Sequence, residues 1–272
     1  MARALVAVND SPTLPGTMRA ARVLTSVLDI DLTAVHVRAP ASRDRSPIGD
    51  RVDLPVQLVS GEVIEQLLAA LDVADVELGI VGAHDRRDDL APLGHVARGL
   101  AQRTGTPLLV VPPASGLACG DRLRRALLPL DGQLRTTGRV AALVRRLQAA
   151  GIDIVVTHVL EADHLPAHVD DPAHTLDAWQ REFAARHLVP GQQVQLRRGH
   201  AWEAIPACAQ ECGADLVVLA WSQHTEVGRG EVVRAVLVDP HLPVLLLPRR
   251  GTTVPDVGEH GPATSQRGAR SG

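Results

Sequence analysis

The chain has 272 residues, 45% hydrophobic and 22% charged, which is ordinary globular material and enough for two domains of typical size. A formal net charge of -3, with one Phe, three Trp and no Tyr, offers neither an electrostatic pull toward nucleic acid nor aromatic rings for bases to stack on, so nucleic acid is excluded as a partner class. The start, MARALVAVND, is too short of apolar residues for a secretory signal, no stretch is long enough to span a bilayer, and Cys119, Cys208 and Cys212 make no disulfide framework, so a cytoplasmic protein without membrane insertion is expected.

Ala4 to Val8 reads as a first strand closed by a polar Asn9-Asp10-Ser11 turn, and Met18, Ala21, Leu24 and Leu28 line one face of the helix after it. Leu32 to Val37 is a second strand. From Arg38 to Pro55 the chain is rich in proline and charge without a helical period and reads as a loop. Val56 to Val59 is a third strand, and Ile64, Leu67, Leu68 and Leu71 give a helical stripe. A unit from Glu77 to Pro113 follows: an apolar run, a polar loop, a helix opening at Gly94 and a closing Leu108 to Val111 run.

The Pro- and Gly-rich stretch Pro112 to Gly120 marks a boundary, giving a first domain 1–113 with a shortened middle and no clear second helix, and a linker 114–122. The second domain, 123–250, begins again with Arg125 to Leu130 and Asp131-Gly132. A helix with Val140, Leu143, Val144 and Leu147 on one side leads to a strand from Asp153 to Leu160, in which Thr157-His158-Val159 answers Val35-His36-Val37. Thr175 to Val189 is a helix without counterpart in the first domain, with Leu176, Trp179 and Phe183 facing the core. Val194 to Leu196 is a strand, Trp202 to Cys212 a helix, and Asp215 to Pro248 a second copy of the earlier unit. From Gly251 onward the composition cannot repay ordering entropy, and a disordered tail, 251–272, is expected.

The repeat is held by spacing: Gly94 lies thirteen positions before Pro107, and Gly230 thirteen before Pro243. Runs such as Leu216-Val217-Val218-Leu219 are apolar on consecutive residues and need cover on both faces, as central parallel strands do. Strands alternating with helices argue for an α/β sheet, whose ligands sit beyond the carboxyl ends of the strands, here after Gly82 and after Ala220.

These residues resemble the universal stress proteins in their tandem two-domain form. The likeness rests on Leu5-Val6-Ala7-Val8-Asn9-Asp10-Ser11, the two His-Val pairs, Gly82-Ala83-His84, Gly94 and Pro107-Leu108-Leu109-Val110-Val111. It implies two flavodoxin-like (adenine nucleotide alpha hydrolase-like) α/β domains with parallel sheets, packed as an internal pseudo-dimer whose last strands, Leu108 to Val111 and Leu245 to Leu247, meet. It also leaves room for a homodimer and for an unidentified protein partner.

Nucleotide-binding members of that family use an aspartate after the first strand, a backbone contact after the second strand's histidine, and a loop G-x-x-G-(nine residues)-G-[S/T]. The glycines let backbone N–H groups approach phosphate oxygens at a helix start. Carried over, the first domain offers Asn9 in place of the aspartate, Val37, Gly82, Gly94, His95 in place of the hydroxyl residue, and Asp85 where the middle glycine belongs; Arg86 and Arg87 oppose Asp85, while Asp88 and Asp89 reinforce it. The second domain keeps Asp131, Val159 and Gly230, but has Ala220 and Gln223 for glycines and Glu231 for the hydroxyl residue. A carboxylate about 4 Å from a phosphate charge costs roughly 4 kcal/mol at an effective dielectric near 20, about a thousandfold in affinity. A degraded site is therefore expected in the second domain and a weak phosphate grip in the first, with no cofactor as the leading expectation and ATP in the first domain as the alternative.

The remaining candidates read as structure. His36 and His158 are expected to be packed or hydrogen-bonded near strand ends. His164, His168 and His174, with Asp163, Asp170 and Asp171, match no ligand spacing, so no metal is expected. Cys208 and Cys212 share a helix face as small core residues. With no legible nucleophile-base constellation, a stress-response regulator that acts by binding rather than turnover is expected; the alternative is an ATP-binding protein with slow hydrolysis.

Overall fold

In the computed structural model, residues 2–38, 48–83, 93–114, 122–131, 137–160, 176–187, 193–221, 223, 230–239 and 241–248 are described. The first half runs β1 (Arg3–Ala7), α1 (Leu14–Leu28), β2 (Asp31–Arg38), α2 (Ile48–Arg51), β3 (Val56–Ser60), α3 (Val63–Leu71), β4 (Val76–Gly82), α4 (His95–Arg103) and β5 (Leu108–Val111). The second runs β6 (Arg125–Pro129), α5 (Thr137–Ala149), β7 (Asp153–Leu160), α6 (Leu176–His187), β8 (Val194–Arg198), α7 (Ala201–Cys212), β9 (Leu216–Trp221), α8 (Gly230–Leu237) and β10 (Val244–Pro248).

All ten strands form one sheet in the order β3-β2-β1-β4-β5-β10-β9-β6-β7-β8. Within each half the pairs are parallel, and the halves join where β10 meets β5 antiparallel, Val244 opposite Val110 and Leu246 opposite Leu108. Neither strand is left as an open apolar edge. Every residue of β5 and β10 is buried, as their Leu- and Val-rich composition requires.

Alternation along the strands divides the core between two faces. On one, Val6, Ala34, Leu109, Leu128, Val156 and Leu245 pack beneath α1, α5 and α6; on the other, Leu5, Val35, Val110, Leu127, Val217 and Leu246 pack beneath α3, α4, α7 and α8. Contacts between helices of different halves brace the first face, where Arg146 of α5 pairs with Glu77 at 2.9 Å and donates to the Leu28 carbonyl.

Local chemistry sets the helix ends. Pro15 stands in the first turn of α1, where no N–H is needed, and α7 stops at Gly213, whose φ of 62° is left-handed. The expected loop from Arg38 to Pro55 is corrected in part: Ile48–Arg51 forms one helical turn, with Ile48 and Val52 buried four residues apart. A single apolar pair anchors a turn without producing the longer stripe by which a helix is recognised in sequence. The tail 251–272, Cys119 and the His164, His168, His174 cluster lie outside the described residues. Among the described residues no helix is long and apolar enough to cross a membrane, and no metal-binding group of side chains occurs.

Candidate functional site

The chain leaves β1 outward to β2 and β3, then returns to the other side of β1 as β4, so β1 and β4 flank a switch point where a crevice opens beyond the strand ends. A cavity of about 180 Å³ lies there. Ala7, Val8 and Asn9 follow β1, Val35 and Val37 come from β2, and Val81, Gly82 and Ala83 from β4. Thr13, Leu14 and Thr17 of α1, Val63 and Leu67 of α3, and Gly94 to Ala97 at the start of α4 close the walls. Five residues picked out from the sequence, Asn9, Val37, Gly82, Gly94 and His95, thus surround one cavity; Arg86, with Asp85, Arg87, Asp88 and Asp89, lies outside the described residues.

Gly94 is the N-cap of α4 and supplies no side-chain cap, so the first N–H groups of the helix stand at the cavity wall. The Gly94 N–H donates to the Ala83 carbonyl at 2.7 Å, tying the helix start to the end of β4. On the opposite wall the Asn9 side chain accepts from the Ser11 N–H at 3.3 Å, and the Ser11 hydroxyl meets that of Thr13 at 2.8 Å. Asp10 beside them is paired with Arg51 at 2.8 Å. The cavity is apolar in most of its lining and is smaller than the roughly 300 to 1,000 Å³ usual for small-molecule sites.

The equivalent strand ends of the second half are built differently. Asp131 is exposed, Val159 half-buried, and Gly230 buried as the first residue of α8, with Glu231 in its first turn. Trp221, at the position of Ala83, is buried, and its indole N–H donates to the Ala101 carbonyl of α4 at 2.7 Å. Gln223, at the position of the middle glycine, has a φ of 64°, the left-handed conformation a glycine takes without strain. Its side-chain amide donates to the Thr104 carbonyl, so Gln223 grips the end of α4 in the other half. Sequence reasoning missed this contact, and the only sign of it was an amide side chain where the pattern calls for glycine.

The two strand histidines are structural. His36 Nδ1 donates to the Val8 carbonyl at 2.9 Å, and His158 Nδ1 to the Leu130 carbonyl at 2.7 Å, each fastening the end of the first strand to the second. Burial pushes His158 below the usual histidine range, against the opposing pull of the Leu130 hydrogen bond and the Asp131 charge. Cys208 is buried, and burial pushes the Cys212 thiol up, away from the thiolate that redox chemistry needs.

The architecture is a doubly wound α/β fold with a cavity at the switch point of its first half. Residues 122–248, a little under half of the chain, match the model of the universal stress protein family. The likeness in fold extends over both halves of the chain. The chain is similar to a functionally unknown protein, PA1789, of Pseudomonas aeruginosa PAO1, with 17% identity over 91% of this chain and 93% of that one and a TM-score of 0.66. A putative universal stress protein of Pseudomonas aeruginosa UCBPP-PA14 gives 18% identity over 91% and 93%, with a TM-score of 0.62. A universal stress protein of Archaeoglobus fulgidus DSM 4304 gives 12% over 90% and 96%, with a TM-score of 0.63. At these identities the likeness is one of fold. No curated protein matches the chain.

Proposed function

We propose that this is a stress-response regulator that acts by binding, in which the second half has given up its nucleotide site. The carrying observation is the inequality of two equivalent strand ends. One borders a cavity, while the other holds Trp221 and Gln223 engaged with α4 and Glu231 at the start of α8. A carboxylate in the first turn of a helix satisfies its dipole and leaves an anion less to gain.

A second reading, that the first half binds ATP, is favoured by the start of α4 at the cavity wall, where the N-cap residue Gly94 makes no side-chain cap. The small cavity weighs against it. Isothermal calorimetry with Mg-ATP separates the readings: millimolar or weaker binding supports the regulator without a nucleotide, and micromolar binding abolished by Gly94→Asp supports the nucleotide-binding reading. Aspartate is a good N-cap residue, so the variant keeps α4 while placing a charge where the phosphate would go.

A further inference from the structure

The outermost strands of the two halves carry the same tripeptide, Val56-Gln57-Leu58 in β3 and Val194-Gln195-Leu196 in β8. Their registers also agree: Leu58 stands opposite His36, and Leu196 opposite His158. Their cover does not. In the second half α6 lies over this face, Trp179 and Phe183 stand 5.1 and 4.8 Å from the His158 ring, and Leu196 packs against the core. Gln180 of the same helix donates to the Val194 carbonyl at 3.2 Å. In the first half α2 is a single turn, and Leu58 is 62% exposed.

We propose that this face of β2 and β3 is a docking surface for an amphipathic helix of a partner protein, presenting two aromatic residues four apart to His36 and Leu58. The occupant is argued from the chain itself. The same tripeptide and histidine, in the same register, are covered in the second half by a helix with Trp179 and Phe183 at that spacing, which places both on one side. The His36 ring is held by its bond to the Val8 carbonyl as His158 is by Leu130, so half of the receiving surface is already fixed in place. The surface is separate from the cavity: Val35 and Val37 line the cavity, and His36 between them projects to the other side of the sheet.

The test uses the full chain and a fluorescein-labelled synthetic peptide with the sequence of α6, Leu176–His187, followed by fluorescence anisotropy. Saturable micromolar binding is expected. It should weaken by roughly tenfold or more in Leu58→Asp, and likewise when both peptide aromatics become alanine. Because Leu58 is exposed, Leu58→Asp should leave the melting temperature unchanged. Absence of saturable binding up to about 1 mM, or equal binding by Leu58→Asp, overturns the proposal. So does a concentration-dependent dimer in sedimentation velocity that Leu58→Asp abolishes, since that would put a second copy of the chain on the face.

Discussion

Trp221→Phe isolates one of the contacts that fasten the second half to the first. Ala101 lies in the last turn of α4, where carbonyls have no intrahelical partner; the Thr104 N–H takes that of Leu100, and the Trp221 indole takes that of Ala101. Phenylalanine keeps an aromatic ring in the pocket but leaves this carbonyl buried without a donor, a loss of about 1 to 3 kcal/mol. Taking roughly 2 kcal/mol, and about 2 to 4 °C per kcal/mol for a chain somewhat smaller than this one, the melting temperature should fall by about 4 to 8 °C. Urea denaturation followed by far-ultraviolet circular dichroism measures the loss, and hydrogen exchange should quicken at the end of α4, in the half that carries no mutation. If the indole and Gln223 act together, adding Gln223→Ala should cost less than the sum of the single changes. A loss below about 0.5 kcal/mol with unaltered exchange in α4 would refute the reasoning, since surface substitutions without a structural role fall within that range.

Three further outcomes are expected. Val110→Asp puts a carboxylate at a position fully buried between β4 and β10, costing several kcal/mol of the roughly 5 to 15 available; a melting temperature equal to the parent's would show that the seam does not hold the halves together. Since burial lowers the pKa of His158 in the folded state, the unfolded chain takes up the proton first. Stability should therefore fall as pH drops below about 6.5, by up to about 1.4 kcal/mol per pH unit, and level off once the pH passes the lowered folded value. His158→Gln should flatten that slope, and urea titrations between pH 7 and 5 giving parallel slopes would count against it. Gly94→Asp should raise stability by about a few tenths of a kcal/mol through its cap to α4, and calorimetric melting that shows a clear loss would mean the helix start is held otherwise.

The fold was readable where composition had one physical meaning. Consecutive apolar residues in Leu108–Val111 and Leu216–Trp221, rich in β-branched side chains and bounded by turn signals, suit strands covered on both sides, and the paired histidines set the register between halves. Ile48–Arg51 was not readable, because one turn resting on Ile48 and Val52 leaves no periodic trace. At the cavity, Gly82 and Gly94 stood out through the repeat spacing and the strand-end position as well as the resemblance, whereas Leu14, Val63 and Leu67 could not be told from ordinary core: the inward face of a helix looks the same in sequence whether it meets a strand or the space beyond its end. The reach of Trp221 to Ala101 spans 120 positions, and no local pattern records a hydrogen bond to another element's carbonyl.

The antiparallel meeting of β5 and β10 sends the strands of the two halves in opposite directions, so α4 runs from the cavity at one rim of the sheet to the indole at the other. An assembly of identical subunits must repeat every substitution at each symmetry-related position. There a tryptophan used as mortar would come twice, and its twin would stand at Ala83, in the wall of the cavity. Joining both copies in one polypeptide lifts that obligation. One rim can become masonry while the other stays a doorway.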